Sequence, residues 1–548
     1  VIERRRGTLG ASLDAAAHRL TVAGCALLAW LLISAHVGTS QVVFEGAAGG
    51  YPVRVMISPP GVVPAQVPIA VRVLRGTPTR VTVRAAQWNV GTKGAPPAEV
   101  AALVPGDPGV WAHDLWIMTA STYAVYVAVE GPAGNGTLVV PLQTSATRTL
   151  GMTSGMTYIL VVLGTLLVAG LLTIVGSALR EGTLSAGEQP SVRRRRTARL
   201  ATAGTASVLA LALFGGSKWW AAEERDYKRR MLKPIAMQAS VKAIDSDRVL
   251  TIALTDSAWL TNRMAPLMPD HGKLMHLFLI RADDESVLAH LHPLRIHPDS
   301  FVTPLPPMRE GRYLLFGDLL FQNGAQRTLV DTVDVPVAPV VAGKSLAHAG
   351  IGGARPDADD AWRALIAVPM GSAAALPSGG SVTLRRDDSS AVLRTGRDLR
   401  LVVSVVDANG SPSVLEPYMG MGGHAMVLRR DAGVFMHLHP MGTASMTAQA
   451  QLMRRERGDT AMLDSAAIAA AMQSAEAHAM PSMAPSTGTV AIDRGATTMD
   501  ASSSGVLAFP FAFPTAGAYR IFVQVKRHGV VETTAFDMNV VAAVKPAR

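Results

Sequence analysis

The chain has 548 residues, of which 49% are hydrophobic and only 17% charged, and its formal net charge is +10. That length predicts about three or four domains, and the apolar balance points to membrane segments rather than a wholly soluble enzyme. One cysteine, Cys25, excludes an intrachain disulfide, a four-cysteine zinc site and a CxxCH haem attachment. It also excludes a thiolate-ligated blue-copper centre in the outer domains.

Residues 1–19 are basic and 20–35, LTVAGCALLAWLLISA, are apolar. The run is short for a membrane span and reads as a secretory signal peptide or signal anchor. Cleavage after Ala35 would expose His36 as an amino-terminal copper chelator. Residues 36–150 alternate strand-like runs (YPVRVMI, VPIAVRVL, YAVYVAVE) with Pro/Gly turns, which predicts a β-sandwich. Its potential ligands, His113 and Asp114, read as structural.

Residues 157–220 predict a transmembrane hairpin: an uncharged span to 179, a basic loop over 180–199, and a second span ending at Trp219 and Trp220. The positive charge therefore reads as a topology signal, and no nucleic-acid partner is expected. The amino terminus and the 180–199 loop are placed in the cytoplasm, and the remaining mass outside a bacterial inner membrane whose bilayer is the first partner. Residues 221–233 read as a polar helical stalk.

Two His-bearing β-domains follow, 236–338 and 363–542, joined by a Gly/Ala/Asp-rich linker over 340–362. In the second, PYMGMGGHAMVLRRDAGVFMHLHPM predicts a hairpin turning near Asp431. Alternation puts His437 and His439 on one face, and folding brings His424 opposite them. Met421 and Met441 are added as thioether ligands, because imidazole with soft sulfur suits copper better than calcium or magnesium. The first domain repeats the pattern as PDHGKLMHLFLIRADDESVLAHLHP, with His276, His290 and His292. Pro269 to His276 and Pro417 to His424 have the same spacing, and EGRYLLFGDLL (from Glu310) matches AGAYRIFVQVK (from Ala516). This is an internal repeat. An insertion over 443–504 contains an Ala-rich helical stretch within 462–480 and several methionines, open to reading as a Cu(I) lid or as ordinary packing residues. Packing alone would also account for duplicated histidines.

From His424 to Met446 the chain resembles bacterial extracytoplasmic cupredoxin-like domains of the YtkA-like, copper-associated kind. The resemblance rests on the HxH-Pro hairpins and the Gly-x-Tyr strand that follows, and it implies copper storage, sensing or delivery. The overall plan is similar to the B subunit of membrane copper monooxygenases, although apart from the HxH element and His36 its catalytic ligands do not align. The expected fold is mainly β: three extracytoplasmic Ig- or cupredoxin-like sandwiches on a two-helix hairpin. The expected function is copper handling or delivery. The alternative is a non-catalytic accessory subunit of a respiratory or photosynthetic membrane complex. There is no phosphate loop, G-x-S-x-G elbow or H-E-x-x-H motif to support an enzyme, and oxygenase chemistry at a histidine trio is the remaining catalytic option.

Overall fold

The computed structural model describes residues 41–337, 356–462 and 505–543, apart from 186, 245, 246, 262, 389 and 391. The expected signal segment, His36 and the Ala-rich helix within 462–480 lie outside the described residues. The protein is mainly β, with six sheets and two long apolar helices among the described residues. It divides into two compact units, Ala146–Leu232 and the rest.

The smaller unit holds α1 (Ser154–Glu181) and α2 (Val192–Arg230), both long and apolar enough to cross a membrane. Thr153 and Ser191 cap them by accepting hydrogen bonds from the Met156 and Arg194 amides. The expected basic loop is shorter than its sequence range. Arg193–Arg196 and Arg199 form the opening turns of α2, because Ser191 starts the helix before them. The expected stalk is also no separate element, since α2 runs on through 221–230 with Lys228 paired to Glu224 at i,i+4.

The larger unit is built around three apolar cores. The first lies between a sheet containing Val42–Ala48, Tyr51–Ile57, Ala65–Val73 and Val110–Ile117 and a second containing Arg80–Gln87, Ser121–Glu130 and Gly136–Thr144. The alternating burial of Ala65–Val73 follows from its period-two sequence AQVPIAVRV. His113 lies outside that core, paired with Glu99 at 2.8 Å.

The other two cores belong to the repeats. Each repeat has a sheet in which a long strand (Gly311–Phe321 or Gly517–Arg527) pairs with the first strand of a histidine hairpin (His276–Arg281 or His424–Arg429). That strand in turn pairs with the second (Val287–Leu291 or Phe435–Leu438). The linker reading needs correction at its end. Ala361–Ala364 adds an edge strand to the first repeat, placing Ala361 beside His290.

These hairpin strands are apolar on both faces. Leu277 and Leu279 enter the first repeat's own core, while Phe278 and Ile280 point away from it. In the second repeat Ala425 and Val427 face inward and Met426 and Leu428 outward. The outward faces meet in a fourth apolar cluster, where Phe278, Ile280, Leu288 and Phe316 pack with Met426, Leu428, Phe435 and Phe522. Phe316 and Phe435 stack with centroids 4.1 Å apart. Fully burying such side chains contributes roughly 1.5–3 kcal/mol each, so the two repeats are held face to face by their hairpin sheets.

The chain after the second hairpin ties this pair to the first sandwich. Glu45 N donates to Met441 O at 2.8 Å and Thr443 N to Val43 O at 2.9 Å. Gly442 lies between them at φ +124°, and a side-chain carbon there would come within 2.0 Å of the Val43 carbonyl oxygen. Strain of this kind costs on the order of 1–3 kcal/mol before the clash is counted. Gly442→Ala should therefore lower stability by at least about 2 kcal/mol, read as a shifted urea midpoint. An unchanged midpoint would mean the strand edge yields freely.

The insertion begins with α3 (Met446–Glu456), upstream of the expected helical stretch. Ser445 caps it, accepting from Ala448 N at 3.1 Å. Leu452 packs with Ala124 and Val139 of the first sandwich, and Gln449 Nε2 donates to Val139 O at 2.7 Å.

Candidate metal centre

Face-to-face packing of the repeats has a chemical result at one end of the shared apolar cluster. Along each hairpin strand the outward face that carries Phe278 also carries His276, and the face that carries Phe435 also carries His437. Both histidine trios therefore turn toward the same junction. His276, His290 and His292 place ligand atoms within 4.8 Å of one another, as do His424, His437 and His439. The trios are also mutual neighbours: ring centroids lie 5.3 Å apart for His276–His437 and 5.7 Å for His290–His437. Those spacings match the 5.2 Å between His424 and His437 inside one trio. The sequence reading placed two separate trios in two domains. The structure brings them into one cluster.

The junction is pseudo-symmetric. Asp318 is the cross-strand partner of His276, and Gln524 is the partner of His424. Each reaches across to the other repeat: His290 Nδ1 lies 2.9 Å from Gln524 Oε1, and His437 Nδ1 lies 3.6 Å from Asp318 Oδ2. The turns before the trios also correspond. His271 and Gly272 have φ of 50° and 78°, and Met419 and Gly420 have 50° and 76°. The pairs Asp270–Lys273 and Tyr418–Met421 close these turns.

Outer hydrogen bonds fix which nitrogens face inward. His292 Nδ1 donates to Asp360 Oδ1 at 3.0 Å, and His276 Nε2 to the Asp270 carbonyl at 3.0 Å. Carbonyl and carboxylate oxygens only accept, so these nitrogens carry the protons and the remaining ring nitrogens present lone pairs. His276 Nδ1 then faces His290 Nε2 at 3.3 Å. Since His290 Nδ1 points at the Gln524 amide oxygen, two lone pairs oppose one another in a buried space. A cation between or beside them resolves that conflict.

Burial strengthens the case. His276, His290, His424 and His439 are held well below the ordinary histidine pKa, first by desolvation and then by neighbouring imidazoles. His271 is lowered by desolvation, partly offset by Asp270. These rings are neutral in the fold at pH 7, the form that binds metal. Among the described residues, thirteen buried side-chain nitrogen and oxygen atoms lack a hydrogen-bond partner, and seven are ring nitrogens of His271, His292, His424, His437 and His439. An unpartnered buried polar atom costs about 1–3 kcal/mol, so this concentration fits ligand donors better than packing residues. The chemistry of the donor set fits a metal.

The structure adds residues that sequence reasoning missed. Asp270, His271 and His439 form a further group with ligand spacing, and His292, Asp357 and Asp360 another. Tyr418 Oη lies 3.3 Å from His290 Nδ1 and donates to Asp359 O at 2.9 Å. Burial and Asp357, Asp359 and Asp360 raise its phenol well above the ordinary value. Lys273 neutralises this acidic corner through Asp357 at 2.6 Å. The repeat alignment already paired Asp318 with Gln524 and His271 with Met419, which was the available signal. The expected thioethers fare differently. Met441 packs against the core of the first sandwich, because its loop is pinned to Val43 and Glu45. Met421 lies in the turn closed with Tyr418.

The family described as a domain of unknown function (DUF8832) has a sequence model that matches residues 377–462 and 467–542, within the second repeat. No curated protein matches the chain. Among solved structures, a tetra-tandem repeat from the extending region of a large adhesion protein is 8% identical, covering 92% of this chain and 75% of its own, with a TM-score of 0.14. Native E. coli alpha-2-macroglobulin is 8% identical over 92% of this chain and 22% of its own, with a TM-score of 0.16. The ICAM-5 D1–D4 ectodomain fragment is 9% identical over 90% of this chain and 83% of its own, with a TM-score of 0.14.

Proposed function

We propose that this protein is a membrane-anchored, extracytoplasmic copper-binding protein whose metal sits in the histidine cluster between its two repeats. The support is the concentration of unpartnered, buried imidazole nitrogens on two pseudo-symmetric hairpins. Imidazole-rich sets bind zinc, copper, iron and nickel, and among divalent ions copper heads the affinity order. The first sandwich precedes α1 and the repeats follow α2 in sequence. If both helices cross the bilayer, all three lie on one side, and the arginines opening α2 put that side outside by the positive-inside rule. Copper handling is the role that fits: with ligands divided between two repeats, metal entry and exit couple to their separation.

The test uses the full chain in detergent, because neither repeat alone carries the cluster. Copper retained after loading, chelator washing and desalting, and sharply reduced in a His437→Ala/His439→Ala variant, is the expected result. Unchanged copper content in that variant would reject the assignment. A second reading, the accessory subunit, draws on the exposed Trp116 and Met118 of the first sandwich. Stoichiometric partners in mild-detergent extracts would favour it.

A further inference from the structure

The two trios are as close to each other as the rings within each trio, and that spacing bears on how many ions the centre holds. We infer that His276, His290 and His292 bind one copper ion, that His424, His437 and His439 bind another, and that the two share a bridging oxygen ligand from water. This rests on the copper reading above and deepens it.

Three observations carry it. First, each trio separately meets ligand spacing, so neither needs a residue from the other to complete three-fold coordination. Second, a first-row divalent ion sits about 2 Å from each imidazole nitrogen that holds it, as zinc does. Opposed rings with centroids 5.3–6.1 Å apart then leave only a few ångströms between the ions. Other two-metal sites hold their ions about 3.5–4 Å apart and act together on oxygen atoms between them. Third, carboxylates that would offset two divalent ions are present, Asp270 and Asp360 largely buried and Asp318 partly exposed. Asp360 lies on His292, Asp318 on His437, and Asp270 within ligand distance of His271 and His439.

The pair is not fully symmetric. His271 approaches His439 to 5.0 Å and His424 to 6.3 Å between ring centroids. Its counterpart in the second repeat is Met419. The proposed second-repeat ion therefore has a fourth imidazole within reach.

Magnetic coupling is the direct readout. The full-length protein in detergent is loaded with Cu(II), washed with a chelator of modest affinity and desalted. Copper is then measured by elemental analysis and unpaired spin by integrated EPR. The expected result is two coppers per chain with spin far below the copper content, since an oxygen bridge pairs the electrons. The His292→Ala variant should keep one copper and show its full spin. One copper with full spin in the wild type would overturn the pair and leave the copper reading intact. Two coppers with full spin would likewise overturn it, as independent sites. No retained copper would remove the copper reading itself. If His292→Ala does not fold, His439→Ala is the reciprocal variant with the same expected outcome.

Discussion

Metal-free protein should lose its stability steeply as the pH falls from about 6.5 toward 5, well before its carboxylates are titrated. His271, His276, His290, His424 and His439 all have folded-state pKa values below the ordinary histidine value of 6.5. Above that value both folded and unfolded chains carry neutral rings, and the groups contribute nothing to the pH dependence. Below it the unfolded chain takes up protons that the folded chain cannot, so unfolding is favoured as acid is added. Each fully expressed difference is worth about 1.4 kcal/mol per pH unit. Several such groups acting in the same window make that slope steep against a total stability on the order of 5–15 kcal/mol. Carboxylates contribute in a different window. Asp357 and Asp398 have lowered pKa values, so the stability they add is present above the ordinary aspartate value and is lost only as the pH falls below it. Urea midpoints of the metal-free chain at pH 7.5, 6.5 and 5.5 separate the two windows. His424→Gln removes one titrating ring, and the slope should flatten by up to one proton. If the cluster binds copper as proposed, loaded metal should extend stability to lower pH to the extent that it prefers the folded state. Equal midpoints at the three pH values would show that the histidines are hydrated and titrate freely in the fold.

That acid window depends on burial, which was the part of the centre least legible in the sequence. Period-two alternation was enough to find both hairpins, to put His437 and His439 on one face, and to pair the repeats through EGRYLLFGDLL and AGAYRIFVQVK. It was not enough to show what that face touches. The available signal was the run HLFLI at His276 and its counterpart HAMVL at His424. Both are apolar at every position after the histidine, and a strand with one solvated face alternates. Phe278, Ile280, Met426 and Leu428 therefore demanded a second partner surface, and the other repeat supplies it. Asp360 was hidden for a different reason. It lies in a Gly/Ala/Asp-rich stretch with the composition of a linker, and its role arises because Ala361–Ala364 pairs with the strand carrying His290. The thioether reading of Met441 rested on proximity in sequence to His439, which says nothing of direction. Gly442 turns the chain onto Val43, and Met441 follows it into the first sandwich.

Phe435→Ala should dismantle the proposed metal centre without touching any of its proposed ligands. Phe435 is 3% exposed, stacks on Phe316 at 4.1 Å and lies 5.3 Å from Phe278 between centroids. It shares a strand face with His437, two residues away, so the contact that joins the repeats also sets the spacing between the trios. Removing a buried phenylalanine costs about 3–5 kcal/mol through lost transfer energy and the cavity left behind. Here the cavity opens at the junction of two sheets rather than inside one, and the sheets can separate. The expected result is a lower urea midpoint together with metal retention reduced at least tenfold, equivalent to about 1.4 kcal/mol of binding. Phe509→Ala is the control. Phe509 is fully buried in the second repeat's own core, away from the shared face, so its loss should cost comparable stability. Measured at a temperature where both variants remain folded, Phe509→Ala should keep its metal and Phe435→Ala should not. Equal retention in the two would mean that the histidine trios hold their geometry without the apolar contact, with the ligands rather than the sheets holding the repeats together.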